Sequence, residues 1–139
     1  RQEATYEGQA AIEMEALADP GETGLYEFAI HGDNIDPTPV WEQIIADWYQ
    51  RTLPHIMAAR FHNGVAHVSL QVCQSLRDRT GCVTVALSGG VWQNRRLLAK
   101  TETLLTQAGF RVLIHRRVPA NDGGVALGQA MVAARQIKR

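Results

Sequence analysis

Residues 83–97, VTVALSGGVWQNRRL, decide how this chain is read. Val83 to Leu87 is short, apolar and partly β-branched, the pattern of a strand that two covered faces would suit. Ser88-Gly89-Gly90 breaks it, and a helical pattern follows, with Leu97, Leu98, Thr101, Leu104, Leu105 and Ala108 at helical spacing and Gly109 as its stop. A second stretch, residues 111–134, RVLIHRRVPANDGGVALGQAMVAA, repeats the logic: strand, loop, Asn121-Asp122-Gly123-Gly124, then a helix rich in Ala and Gly. A glycine pair lets backbone N–H groups face a ligand without side chains in the way. A helix N-terminus adds unpaired donors and partial positive charge, which suits a phosphate. One Gly-Gly after a strand is usually a turn. Two of them, both at strand-to-helix junctions, suggest a cleft built for an anion.

The strand–helix–strand order predicts parallel pairing with a right-handed crossover. In an open α/β sheet ligands bind beyond the carboxyl ends of the strands, where both glycine loops lie. Upstream, the spacing predicts a helix over 7–18, with Ala10, Met14 and Leu17 on one face and Pro20-Gly21 ending it. Residues 25–30 then read as a strand and 33–39 as a turn-rich link. Trp41, Ile44, Ile45 and Trp48 follow helical spacing after Thr38-Pro39, and the two tryptophans read as core. A long helix is expected over 53–79, along which Met57, Phe61, Val65, Val68, Val72 and Leu76 form one face. Asn63-Gly64 could mark a turn, but the periodicity runs through it, so Gly64 reads as a point of close packing.

With 139 residues the chain fits one domain, 1–139. No apolar run approaches the roughly 20 residues that span a bilayer, no signal-peptide pattern is present, and the start at Arg1 suggests a piece of something longer. Cys73 and Cys82 lack metal-ligand spacing and read as reduced thiols of a cytoplasmic protein, Cys73 on the apolar side of the long helix. The net charge of zero hides an asymmetry: residues 1–50 carry eleven acids and one base, residues 51–139 thirteen bases and three acids. The acidic and basic segments neutralise each other or are simply solvated faces, or else the basic segment with its glycine loops faces an anionic ligand. Asp122 lies inside one of those loops. A carboxylate there repels a bare phosphate and makes sense with a metal ion between them. The bases are dispersed without aromatic interleaving, which argues against nucleic acid as a partner, as the hydropathy argues against a membrane.

Four stretches carry a resemblance: YEGQAAIEMEALA (6–18), AARFHNGVAH (58–67), LSGGVWQNRRLL (87–98) and HRRVPANDGGVALGQA (115–130). Through them the chain resembles the C-terminal part of HypF-type carbamoyltransferases, the hydrogenase maturation factors. More distantly it is similar to the family that makes threonylcarbamoyladenosine in transfer RNA. The resemblance implies an α/β fold, a fragment of the actin, sugar-kinase and Hsp70-type ATPase architecture: a ribonuclease-H-like domain with flanking helices. It implies carbamoyl phosphate and ATP as substrates, a carbamoyl-adenylate intermediate, and transfer of the carbamoyl group to the C-terminal cysteine of a HypE-type acceptor protein.

By the same resemblance, Ser88, Gly89, Gly90, Asn94, Gly123 and Gly124 line the nucleotide and its phosphates, and Asp122 is a ligand of a divalent metal ion. Tyr6, Glu7, Gly8 and His115 are weaker candidates for the nucleotide or carbamoyl end. The family's further metal-binding histidines belong to a cluster upstream of the matched stretches, so the chain reads as one wall of an active site, not expected to turn over alone. The residues themselves add limits. His62 and His67, five apart, diverge by roughly 140° on a helix and read as packing or surface histidines, as does His55. One of Arg95 and Arg96 should face solvent. Ser88 has no acid–base partner nearby in sequence and reads as a hydroxyl donor or helix cap. Two alternatives stay open: another ATP-dependent carbamoyl- or phosphotransferase of the same superfamily, or a non-catalytic packing domain whose glycine loops are only turns.

Overall fold

The computed structural model describes residues 3–137; Arg1, the single base of the acidic segment, lies outside them. The chain runs helix α1 (Gln9–Leu17), strands β1 (Ala29–His31) and β2 (Asn34–Asp36), helices α2 (Thr38–Tyr49) and α3 (Pro54–Thr80), strand β3 (Thr84–Leu87), helix α4 (Arg95–Gln107), strand β4 (Arg111–Ile114) and helix α5 (Val125–Ile137). Short 3-10 turns precede α4 (Gly90–Gln93) and α5 (Asp122–Gly124). The expected α/β class is what the chain adopts. No helix among the described residues is long and apolar enough to cross a membrane.

Strands β3 and β4 pair in parallel, with Val85 opposite Val112 and Leu87 opposite Ile114. Those residues pack with Leu105, Phe110, Leu70, Cys73, Trp92 and Leu98 in one apolar cluster beneath α3 and α4. Arg77 of α3 closes its edge, its guanidinium 4.7 Å from the Phe110 ring centroid and Nη1 donating to the Ala108 carbonyl at 2.7 Å. The expectation of a strand covered on both faces fails. Thr84, Ala86, Arg111 and Leu113 project from the other face and are exposed, so this small sheet has one dry side. Helix α5, whose Ala and Gly would permit close approach to a sheet, has no buried residue.

Helix α3 runs unbroken through Asn63-Gly64, as the periodicity predicts, and ends on Gly81 at φ +73°. Its inward face is made of small residues, Ala58, Ala59, Gly64 and Ala66. A Cβ on Gly64 would collide with the Tyr26 carbonyl oxygen, so only glycine lets α3 approach that backbone. Asn63 beside it donates from Nδ2 to the carbonyls of Glu22 (3.0 Å) and Gly24 (2.7 Å), and accepts at Oδ1 from the Lys100 ammonium. Residues 19–28, which have no strand partner over most of their length, thereby find partners for their backbone groups.

Two upstream expectations need correction. The strand expected over 25–30 is confined to Ala29–His31, and the turn-rich link contains its partner: β1 and β2 form a hairpin turning at Gly32-Asp33, with Gly32 at φ +62°. Trp41 and Trp48 are not core; they are 60 % and 72 % exposed. With Met14, Leu17, Ile44, Met57 and Phe61 they border an open apolar groove between α1, α2 and α3. Helical spacing put them on one face, but nothing among the described residues covers that face. Cys73 does lie in the core, where burial raises its thiol pKa.

The acidic and basic segments meet directly. Arg60 of α3 donates from Nη1 to both carboxylate oxygens of Asp47 (3.1 and 2.8 Å) and lies 3.9 Å from Glu22; Arg79 holds Asp33 at 2.6 Å. Arg96 donates through its backbone N–H to Glu15 and through its guanidinium to the carbonyls of Ala18 and Asp19, pinning the start of α4 to the end of α1. Arg95 is the exposed member of that pair, as expected. Asp47 also accepts from the Tyr26 hydroxyl (2.7 Å) and from Thr52 Oγ1 (3.1 Å). Burial by itself would raise the Asp47 pKa, but these three donors and the Arg60 charge outweigh it and hold the carboxyl below its ordinary range. Burial first, and then the bond to Asp47, push the Tyr26 phenol well above its ordinary value.

Gly64→Ala should destabilise the protein by about 2–3 kcal/mol in chemical denaturation, because the new methyl meets backbone that cannot step aside; an unchanged midpoint would contradict the close contact. Because the Asp47 pKa is lowered on folding, its contribution is complete above the ordinary carboxylate value of about 4 and is lost as pH falls below it. Asp47→Asn should therefore weaken the protein at neutral pH and flatten the acid side of its stability–pH curve.

Candidate functional site

Strands β3 and β4 end side by side, and each passes into its glycine loop at that end. Gly89 has φ +104°, a conformation other residues rarely adopt, and its N–H donates to the Ala120 carbonyl at 2.8 Å. The two loops are thus clasped to each other. In front of them a cleft of about 680 Å³ is lined by Glu7, Gly8, Ala11, Ile12 and Glu15 from the α1 region, Gly90, Val91, Gln93 and Asn94 from the first loop, and Asn121 and Asp122 from the second. This volume falls in the range of small-molecule sites. Gly8, at φ +78°, starts α1 and brings that helix's N-terminus to the cleft.

Of the residues singled out in the sequence, Gly90, Asn94, Asp122, Glu7 and Gly8 meet at this one cleft. Ser88, Gly89, Gly123, Gly124, His115 and Tyr6 are not among its lining residues. Ser88 and His115 stand at the two strand ends with Oγ and Nε2 2.9 Å apart, so Ser88 has a histidine partner that its sequence neighbours do not reveal. Tyr6 is exposed, and its carbonyl receives the Gln9 amide. The helix cap in the first loop is Asn94, not Ser88: its Oδ1 accepts from the Leu97 amide at 2.8 Å.

The idea that paired glycines hold out their amides to an anion needs revising at three positions. The Gly123 amide donates to Asn121 Oδ1 (3.1 Å), the Gly124 amide to the Asn121 carbonyl (3.0 Å), and the Gly89 amide to Ala120. Asn121 closes its own loop as an Asx turn, which the Asn-Asp-Gly-Gly pattern could have signalled. The second glycine pair serves close packing instead: a Cβ on Gly124 would lie 2.7 Å from the Pro119 carbonyl oxygen, and one on Gly123 3.2 Å from the Pro119 ring. Gly90 differs, with open space on its Cβ side facing the cleft.

The electrostatics of the cleft are acidic. Glu7, Glu15 and Asp122 line it, and among the described residues no lysine or arginine does. Arg60 and Arg79 are paired with acids of the first fifty residues and Arg96 with their carbonyls, so mutual neutralisation holds for Arg60 and Arg79. Among the described residues no group of three His, Cys, Asp or Glu side chains is arranged to hold a metal ion. Asp122 offers one exposed carboxylate, far short of the six or so ligands a hard cation takes. The described residues alone therefore do not compose a metal site.

Sequence reasoning passed over Glu15 and Asn121 as lining residues, and over the partner of His62, which it read as a packing or surface histidine. His62 is buried and its Nε2 is 2.8 Å from Asn94 Nδ2. The available signal was its place four residues from Ala58 and four from Ala66, on the small-residue face that packs inward.

The family model described as carbamoyltransferase, Kae1-like domain, second subdomain, matches residues 1–129. The chain belongs to the HypF carbamoyltransferase family. It is 36% identical over 135 residues to carbamoyltransferase HypF of Rhodobacter capsulatus, covering 96% of this chain and 17% of that protein. The corresponding figures for carbamoyltransferase HypF of Synechocystis sp. are 36% over 141 residues, 96% and 18%. Among solved structures it is similar to full-length HypF in the phosphate- and nucleotide-bound form, with a TM-score of 0.92 at 37% identity, over 100% of this chain and 19% of that one. HypF of T. kodakarensis has the same fold, at a TM-score of 0.82 and 24% identity, over 96% of this chain and 17% of that one. The chain thus spans less than a fifth of the length of these HypF relatives.

Gly124→Ala should force the second loop away from Pro119. Hydrogen–deuterium exchange should then rise in residues 119–124 while the amides of α4 keep their protection; unchanged exchange in the loop would show that the contact with Pro119 is dispensable.

Proposed function

We propose that this chain forms one wall of the nucleotide site of a HypF-type carbamoyltransferase. The observation that carries the reading is the convergence of Gly90, Asn94, Asp122, Glu7 and Gly8 on a single cleft at the carboxyl ends of two parallel strands. It is supported by the close similarity to a HypF solved with phosphate and nucleotide bound. In this reading the whole enzyme joins carbamoyl phosphate and ATP in a carbamoyl-adenylate, and passes the carbamoyl group to the C-terminal cysteine of a HypE-type acceptor.

The chain's own share is positional. Gly90 leaves room for phosphates to approach the backbone, and the α1 N-terminus, which Gly8 brings to the cleft, adds the positive end of its dipole there. Asn94 supplies a carboxamide with donor and acceptor sides. The loop of Gly123 and Gly124, locked on Pro119 and Asn121, fixes where Asp122 stands. Ser88 and His115 form a polar pair at the strand ends beside the loops. Asp122 serves as one ligand of a divalent cation, the rest coming from outside the described residues; such an ion supplies charge neutralisation for the phosphates. This need follows from the acidic lining, since a nucleotide facing Glu7, Glu15 and Asp122 without a cation would be repelled.

Asp122→Ala in the full-length protein should reduce carbamoyl transfer and metal affinity by about a hundredfold or more, while the denaturation midpoint moves by no more than about 0.5 kcal/mol, because an exposed loop carboxylate adds little packing. Full activity in that variant would remove Asp122 from the site.

A further inference from the structure

The middle of α3 buries a histidine whose hydrogen bonds lead to the cleft. His62 is 2 % exposed; its Nδ1 lies 2.7 Å from the Ala58 carbonyl oxygen and its Nε2 2.8 Å from Nδ2 of Asn94. On the other side of the same carboxamide, Asn94 Oδ1 is 2.8 Å from the Leu97 amide nitrogen. These contacts admit one arrangement of protons. The Leu97 N–H can only donate, so the oxygen of Asn94 must face it. Nδ2 then faces His62 and donates, Nε2 accepts, and the imidazole proton sits on Nδ1, donated to the Ala58 carbonyl. A flipped carboxamide would set donor against donor at Leu97 and lose the cap of α4.

We propose that His62 is a positioning residue for the nucleotide cleft: it locks the carboxamide of Asn94 in the one orientation that caps α4 and presents its remaining N–H and lone pair to a bound nucleotide. The proposal rests on the reading of the cleft as a nucleotide site. Each partner in the chain has a role that an apolar residue at 62 could not fill. The Nδ2 group carries two hydrogens, of which His62 takes one, and Oδ1 has two lone pairs, of which Leu97 takes one. One donor and one acceptor are left over on a residue that lines the cleft. Without His62 the carboxamide keeps only the Leu97 contact and is free to turn about it.

The test uses the full-length protein with His62→Leu, His62→Gln, His62→Asn, Asn94→Ala and the double variant His62→Leu with Asn94→Ala. Two readouts are taken: hydrogen exchange of the Leu97 amide, and the Kd for ATP by calorimetric titration. A glutamine oxygen reaches the place of Nε2, whereas an asparagine oxygen stops near that of Nδ1. His62→Leu and His62→Asn should therefore raise both the exchange rate and the Kd by about tenfold, the size expected when an N-cap loses its hold. His62→Gln should stay within about threefold of the parent. The double variant should bind ATP no more weakly than Asn94→Ala alone, since both changes break one chain of contacts.

Parent-like behaviour of His62→Leu, equal impairment of the Gln and Asn variants, or additive losses in the double variant would overturn the proposal. If His62→Leu does not fold, the Gln–Asn pair decides. Should ATP bind Asn94→Ala as tightly as the parent, the nucleotide reading of the cleft fails instead, and with it the part assigned to His62 there. Exchange at Leu97 would then report separately on whether the hydrogen bond exists.

Discussion

The approach of one helix to an irregular stretch of backbone holds this molecule together, and it depends on a missing side chain. At Gly64 the surface of α3 is bare enough for the Tyr26 carbonyl to lie against it. Consecutive helical residues point about 100° apart, so His62, Asn63 and Gly64 sweep over half the helix circumference, and all three are buried. His62 meets the cap of α4, while Asn63 meets the carbonyls of Glu22 and Gly24 and Gly64 the backbone of Tyr26 in the same irregular stretch. Two polar side chains are tolerated in the interior because the segment they meet has no strand partner to satisfy its carbonyls and the cap of α4 needs an orienting acceptor.

The same contact explains where the charges go. Once α3 lies against residues 22–28, Arg60 on its neighbouring turn falls beside Asp47 and Glu22, and the bond from Tyr26 completes a carboxylate with three donors. Arg96 makes the matching connection from α4 to α1. Arg60 and Arg79 are therefore spent on acids of the first fifty residues, and among the described residues no lysine or arginine lines the cleft. What remains there is the acidity of Glu7, Glu15 and Asp122.

The elements around the glycine loops were legible because their signals are local and strong: β-branched strand residues, glycines at helix ends, and leucines at helical spacing in α4. Parallel pairing followed from the length of the crossover. The long α3 was legible for the same reason, and so was Gly64 as a packing point. Other features were not. Three-residue strands such as Ala29–His31 and Asn34–Asp36 are too short for periodicity, though Gly32-Asp33 carries a hairpin signal. The tryptophans of α2 show a limit of a different kind. Spacing tells which residues share a helix face, but burial depends on what covers that face, and neither α1 nor α3 reaches over Trp41 and Trp48. Helix α5 and the open side of the β3–β4 sheet repeat the lesson. At the site, the resemblance brought out Asn94 and Asp122, while the bond from His62 to Asn94 joins residues 32 apart and was invisible to motif reading.

The geometry of the loops also separates two tasks that a glycine-rich anion site is often assumed to combine. Three of the loop amides are consumed in holding the loops to themselves and to each other. Such a loop is rigid, and its rigidity places Gly90, Asn94 and Asp122 with little freedom. It does not by itself offset the charge of a phosphate, and the lining contains no base to do so. An anion in this cleft must therefore bring a cation or meet positive groups from beyond these residues. In the proposed nucleotide site the chain's contribution is the orientation of neutral and acidic groups, which makes the carboxamide of Asn94, more than any charge on this wall, the feature that would discriminate one bound molecule from another.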